Sequence, residues 1–174
     1  MTEKDNIVLI GMPGVGKSTV GVLLAKMTSR SFIDSDVVIQ AREGRRLQDI
    51  LDEEGTSVFR QIEERHILVL DLHRHVIATG GSVVYSDRAM KHLGVSGVIV
   101  HLDLPFDLLK KRITDLDSRG VVMEPGQSLR DLFNERQPLY RRYARVSIDC
   151  VGLTHEQVVE AVVKALGAPK GKIT

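Results

Sequence analysis

Short apolar runs rich in β-branched residues recur along the chain at Ile7–Ile10, Ser31–Asp34, Val76–Ala78, Val98–Leu102 and Val146–Asp149. Between them lie longer stretches of helical periodicity, at about 17–28, 36–43, 47–53, 57–73, 86–93, 105–115, 128–144 and 154–166. Short strands alternating with such helices predict βαβ units, hence an α/β fold with a mostly parallel sheet and helices on both faces. The runs are apolar on both sides, as burial on two faces requires. Pro105 suits the first turn of a helix, Ser128 and Thr154 suit N-caps, and Gln157 stands at capping-box spacing from Thr154. Ligands of such sheets lie beyond the carboxyl ends of the strands. A glycine-rich loop follows the first run, Asp34 and Asp36 follow the second, and Gly80 and Gly81 follow the third, so three strand ends are expected to converge on one crevice.

The 174 residues are read as a single domain covering 1–174, with its core over about 6–166, a substrate-binding helical region over about 35–62 and a tail at 167–174. Asp115 to Gln127 breaks the helical pattern with Gly120, Pro125 and Gly126, where a tight turn would have served. A loop of that length in a small domain is expected to be a functional cover, a lid over about 115–127.

Charge and composition narrow the partners. The net charge of +1, with no Lys/Arg block, provides no field for nucleic acid or an anionic membrane. Four Phe, three Tyr and no Trp leave little for base stacking. No apolar stretch approaches the length of a membrane span and the polar N-terminus has no export signal, so a soluble, cytoplasmic protein is expected. The single cysteine, Cys150, is read as a small buried hydrophobe. The six histidines lack metal spacing or an acidic helper and are assigned to surface and packing.

Gly11-Met-Pro-Gly-Val-Gly-Lys-Ser18 fits Gly-x4-Gly-Lys-Ser, directly after an apolar run and just before a helix. That context makes it a phosphate-binding loop for a nucleoside triphosphate. A triphosphate needs many donors around closely spaced oxygens, and Gly11, Gly14 and Gly16 let backbone N–H groups turn inward. Lys17 can reach the β- and γ-phosphates, Ser18 offers a hydroxyl to Mg²⁺, and the helix N-terminus adds its positive dipole end.

Asp34 and Asp36 stand two apart at a strand end, where extended geometry points both to one side. One would hold Mg²⁺ through water and the other would accept a proton from a substrate hydroxyl, unless one merely caps the next helix. Arg60 could pair with Glu64 on its own helix, but together with Arg136 on another it could hold a planar carboxylate. Thr79-Gly-Gly-Ser82 suggests backbone in close approach to a ligand. Arg119 in the lid could neutralise charge on a transferring phosphoryl group, while Arg112 sits in a basic cluster with Lys110 and Lys111.

Taken in order, Gly11–Thr19, Asp34-Ser-Asp36, Phe59-Arg60 with Glu63-Glu64, Thr79-Gly-Gly81, Arg119 and Arg136-Gln-Pro-Leu-Tyr140 resemble the motifs of the shikimate kinases, and the likeness covers roughly residues 6–166. The resemblance implies a three-layer α/β/α kinase with a five-stranded parallel sheet in order 2-3-1-4-5, a monomer, and transfer of the γ-phosphoryl of MgATP to the 3-hydroxyl of shikimate. Carried onto this chain, it makes Asp36, Lys17 and Arg119 catalytic. Gly11, Gly14, Val15, Gly16, Lys17, Ser18, Thr19, Arg112 and Arg119 would bind nucleotide, with the turn near Gly152 to Thr154 as the other adenine wall. Asp36, Arg60, Gly80, Gly81, Ser82 and Arg136 would bind the acid, and Ser18 with Asp34 would hold the metal. Two positions depart from the family pattern: Ser82 stands where a third glycine is usual, and Arg119-Gly-Val-Val122 replaces an Arg-Pro-Leu-Leu lid motif. Both lie on the acceptor side, which leaves a kinase of the same fold for another hydroxy acid, such as gluconate, or for a nucleotide, as the nearest rival. A non-catalytic ATP-binding module is the rival from a different class, and it would have lost the base or the lid arginine.

Overall fold

The computed structural model describes residues 5–113 and 121–167. Five strands, β1 (Asn6–Ile10), β2 (Ser31–Asp34), β3 (His75–Ala78), β4 (Gly97–Asp103) and β5 (Val146–Asp149), form one parallel sheet in order β2-β3-β1-β4-β5. The helices among the described residues are α1 (Lys17–Thr28), α2 (Ser35–Glu43), α3 (Leu47–Leu68), α4 (Asp87–Ser96), α5 (Phe106–Arg112), α6 (Leu129–Tyr143) and α7 (His155–Leu166), with a 3-10 turn at Val83–Tyr85.

The central strand explains the order. β1 is buried along its whole length, with Ile7 facing Val76 of β3 on one side and Val98 of β4 on the other. Burial of every residue requires helices over both faces, and α1 with α7 packs as one layer while α3 packs on α4. Expected burial on both faces fails at the sheet edges: β2 has no buried residue and β5 only Ile148. An edge strand has a neighbour on one side only, so its open side keeps access to water.

Helix ends follow local chemistry. Ser128 caps α6 in a full capping box with Asp131, and Thr154 caps α7 in the expected box with Gln157. Pro105 stands just ahead of α5 rather than inside its first turn, because ψ 147 keeps it extended. The stretches at 47–53 and 57–73 merge into α3, interrupted only at Gly55 with φ 80 and ψ 173. α3 stops at Leu68, and Arg74 with φ 55 reverses the chain into β3.

Cys150 is buried after β5, and burial pushes its thiol up to about 11, which leaves it unreactive. His101 on β4 is fully buried and stacks on Tyr140 at 5.2 Å; burial holds its imidazole down to about 4, hence neutral. The assignment of histidines without acidic helpers needs correction at His66, whose Nε2 lies 2.6 Å from Glu43 across α2 and α3. The lid arginine Arg119, the lid glycine Gly120 and residues 168–174 of the tail lie outside the described residues.

Candidate active site

The loop between β1 and α1 is built on backbone that side chains rarely adopt. Gly11, Gly14 and Gly16 have φ of 147, 82 and 107, and a Cβ on Gly11 would stand 2.7 Å from the Leu102 carbonyl oxygen. Gly16 caps α1 without a side-chain hydrogen bond, so the first amides of this twelve-residue helix remain as donors at the cleft. Lys17 is buried and its Nζ donates to the carbonyls of Gly11 at 2.8 Å and Met12 at 3.0 Å. Burial lowers its ammonium to about 8 against the pull of Asp36. The loop thus holds its cation folded onto its own carbonyls at the head of the cleft.

Two oxygens stand together beside that loop. Ser18 Oγ donates to Asp34 Oδ2 at 2.5 Å, while Asp34 Oδ1 accepts from the amides of Asp36 and Val37 and so caps α2. Asp34 therefore caps the helix with one oxygen and keeps the other beside Ser18. The extended geometry expected across Asp34 and Asp36 does not hold: Asp34 ends β2, and its cap starts α2, so that Asp36 already lies in the first turn of the helix. Asp36 lines the cleft, and burial together with the charge of Asp34 pushes its carboxyl up to about 6. Ser18 and Asp34 are hard oxygen donors of the kind that Mg²⁺ takes one or two of while keeping waters. Among the described residues no group of three His, Cys, Asp or Glu side chains could hold a metal by itself.

Opposite the loop, β3 runs into Thr79-Gly-Gly-Ser82. Thr79 Oγ1 donates to the Leu9 carbonyl, the Gly80 amide donates to Ser35 Oγ at 3.0 Å, and Tyr140 Oη donates to the Gly81 carbonyl at 2.7 Å. A Cβ on Gly80 would lie 2.6 Å from both Asp36 Oδ1 and Glu63 Oε1, so glycine is the residue that lets two carboxylates close on one point.

The two arginines do come together, through a residue the sequence reading missed. Arg60 lies 4.0 Å and Arg136 5.4 Å from the ring centroid of Tyr85, which the 3-10 turn carries against both. Arg136 is almost fully buried, and its Nη2 donates to the Val122 carbonyl at 2.6 Å. Arg60 pairs with Glu124 at 3.5 Å, and the pairing with Glu64 considered for it does not form, since Glu64 binds Ser86 and Arg88 instead. Its buried Nε has no partner.

Glu63 is a second residue whose part the sequence left unread. Phe59 and Glu63 share a helix face, one turn apart, so a charged residue on an otherwise apolar stripe was the available signal. The side chain is buried, and burial pushes its carboxyl up to about 7 while a hydrogen bond from Ser82 opposes the rise. Arg112 donates to the Val15 carbonyl at 3.3 Å, and Leu153, Thr154 and His155 line the same end of the cleft, so His155 belongs to the site and not to the surface alone. A cavity of about 710 Å³ is lined by the phosphate loop at one wall and by Asp36, Gly80, Ser82 and Arg136 at the other.

Geometry of this kind has known counterparts. The family model for shikimate kinase matches residues 13–167. The chain is 41% identical over 162 residues to the shikimate kinase of Thermodesulfovibrio yellowstonii, covering 91% of this chain and 93% of that one. It is 35% identical to that of Thiobacillus denitrificans, covering 100% and 97%. The solved shikimate kinase from Acinetobacter baumannii in complex with shikimate aligns with a TM-score of 0.87 and 32% identity, covering 98% of this chain and 97% of that one. A gluconokinase from Sinorhizobium meliloti, 17% identical with a TM-score of 0.51, shares the fold alone. Because the match runs through both walls of the cleft and along almost the whole chain, this protein belongs to the shikimate kinase family.

Proposed function

We propose that this protein transfers the γ-phosphoryl group of ATP to the 3-hydroxyl of shikimate. The observation that carries this reading is a carboxylate and guanidinium groups gathered across the cleft from a phosphate loop: Arg60 and Arg136 both lie against Tyr85, and Asp36 lines the cleft in the fields of Lys17 and Arg136. The arginine fork suits the planar carboxylate of the acid, and Asp36 suits its hydroxyls. A nucleoside monophosphate acceptor would ask for no such separation of carboxylate and hydroxyl sites.

Each group then has a defined task. Gly80 and Gly81 supply close backbone against the ring of the acid, and Ser82 lines the same wall. Asp36 accepts the proton of the attacking hydroxyl, for which it must be ionised. The amides of Gly14 to Thr19 with Lys17 hold the phosphates, and Arg112 with the turn before α7 flanks the base. Ser18 would ligate Mg²⁺ directly and Asp34 through water, and the ion, when bound, neutralises charge on the β- and γ-phosphate oxygens. Arg119 adds its charge from the lid. One chain supplies every one of these groups, so a monomer suffices.

Arg60→Ala tests the clamp. KM for shikimate is expected to rise about tenfold or more while KM for ATP changes less than about twofold. An equal rise in both would remove Arg60 from the carboxylate site.

A further inference from the structure

Ser82 and Glu63 form a buried pair on the acceptor wall, each 2% exposed, with Ser82 Oγ donating to Glu63 Oε2 at 2.6 Å. The other oxygen, Oε1, is buried without a hydrogen-bond partner. It lies against Gly80 at the point it shares with Asp36 Oδ1. A carboxylate that leaves one oxygen unsatisfied in the interior loses solvation with no return, unless a donor arrives from the ligand.

Ser82 is itself held in place. It precedes the turn Val83–Tyr85, its carbonyl accepts from the Tyr85 amide at 3.0 Å, and its backbone sits at φ −88 and ψ −8. The same turn carries Tyr85 against both Arg60 and Arg136. One short element thus fixes the carboxylate-binding arginines through an aromatic ring and the Glu63 carboxylate through a hydroxyl.

We propose that Ser82 is a positioning residue for the acceptor: its hydroxyl pins one oxygen of Glu63 so that the other is presented at Gly80, beside Asp36, to a hydrogen-bond donor on the bound hydroxy acid. The proposal rests on the reading of this cleft as a hydroxy-acid kinase and adds a determinant of acceptor binding to it. The groups that face Glu63 are Asp36 from α2, Arg60 on its own helix, and Arg136 and Tyr140 from α6. Without the Ser82 donor both oxygens of Glu63 would lack partners, and the buried carboxyl would hold its proton to higher pH. A protonated Glu63 would turn a hydrogen-bond acceptor at Gly80 into a competing donor and would relieve the repulsion it exerts on Asp36.

The test compares wild type, Ser82→Ala and Glu63→Gln, alone and combined, by steady-state kinetics and by ¹³C NMR titration of the Glu63 carboxyl in the ligand-free protein. Ser82→Ala is expected to raise KM for shikimate about tenfold with KM for ATP unchanged within about twofold. It should move the Glu63 midpoint up by about one pH unit and add nothing to the KM of Glu63→Gln. Ser82→Gly, which adds no strain at φ −88, gives the same readings should the alanine variant fold poorly. An unmoved Glu63 midpoint, an equal rise in both KM values, or an undiminished effect of Ser82→Ala in the Glu63→Gln background overturns the proposal. Should the wild type phosphorylate no shikimate, the proposed function fails, while the ligand-free titration still decides the role of Ser82.

Discussion

At the scale of single residues, the chemistry of this site comes from charges held short of full solvation. Asp36, pushed up to about 6, and Lys17, lowered to about 8, straddle neutrality, and each opposes the other's shift. The base works ionised and the lysine works protonated. kcat/KM for the acceptor is therefore expected to rise with pH through about 6 as Asp36 ionises and on through about 7 as Glu63 does, and to fall through about 8. Asp36→Asn should lower kcat by about a hundredfold or more, remove the step near 6 and leave the dissociation constant for ATP within about twofold. Persistence of the step near 6 would assign it to another group. Asp34 and Asp36 were legible in the sequence as a pair beside a phosphate loop, but the difference between them was not, because it depends on Asp34 capping the helix whose first turn carries Asp36. Glu63 could have been half read: its place on the face of Phe59 was an unused sign of burial, whereas its bond to Ser82 spans two elements and leaves no trace in local spacing.

At the scale of elements, the acceptor wall depends on how α3 bends. Gly55 breaks the helix, and the turns on either side bring Leu47 and Ile50 against Phe59 and Ile62, in a small apolar cluster shared with Ile39 and Val122. That cluster supports the helix carrying Arg60 and Glu63 and seats the segment around Val122, where Thr56 Oγ1 donates to Glu124. Nothing lies within 4 Å of a Cβ on Gly55, so a substitution there is strained by backbone alone, at φ 80. Gly55→Ala is expected to cost about 1–2 kcal/mol and to lower Tm by about 2–4 °C per kcal/mol. An unchanged Tm in a thermal melt would mean that the bend is not built on left-handed backbone. Two helical stretches around residue 55 were legible from periodicity. The turn Val83–Tyr85 was not, since three residues show no period, and with it went the sight of Tyr85 drawing the two arginines together.

At the scale of the whole molecule, placing β1 between β3 and β4 brings the loops after β1, β2 and β3 to one end of the sheet. The convergence of glycine loop, aspartate pair and second glycine turn follows from that order. The runs themselves were readable as strands because buried parallel strands are apolar, but periodicity says nothing about which strand neighbours which, and the order 2-3-1-4-5 came only through the family resemblance. Strand composition also overstated burial at β2 and β5, whose edge positions are a property of the assembled sheet. No described helix is long and apolar enough to cross a membrane.

The central claim joins both walls of the cleft in one reaction, and it is tested most directly by offering the purified protein MgATP with shikimate, quinate, gluconate or nucleoside monophosphates in separate reactions, and following ADP and the phosphorylated product together. The account predicts ADP formation that depends on shikimate, matched mole for mole by shikimate 3-phosphate. Phosphorylation of gluconate with none of shikimate would contradict it.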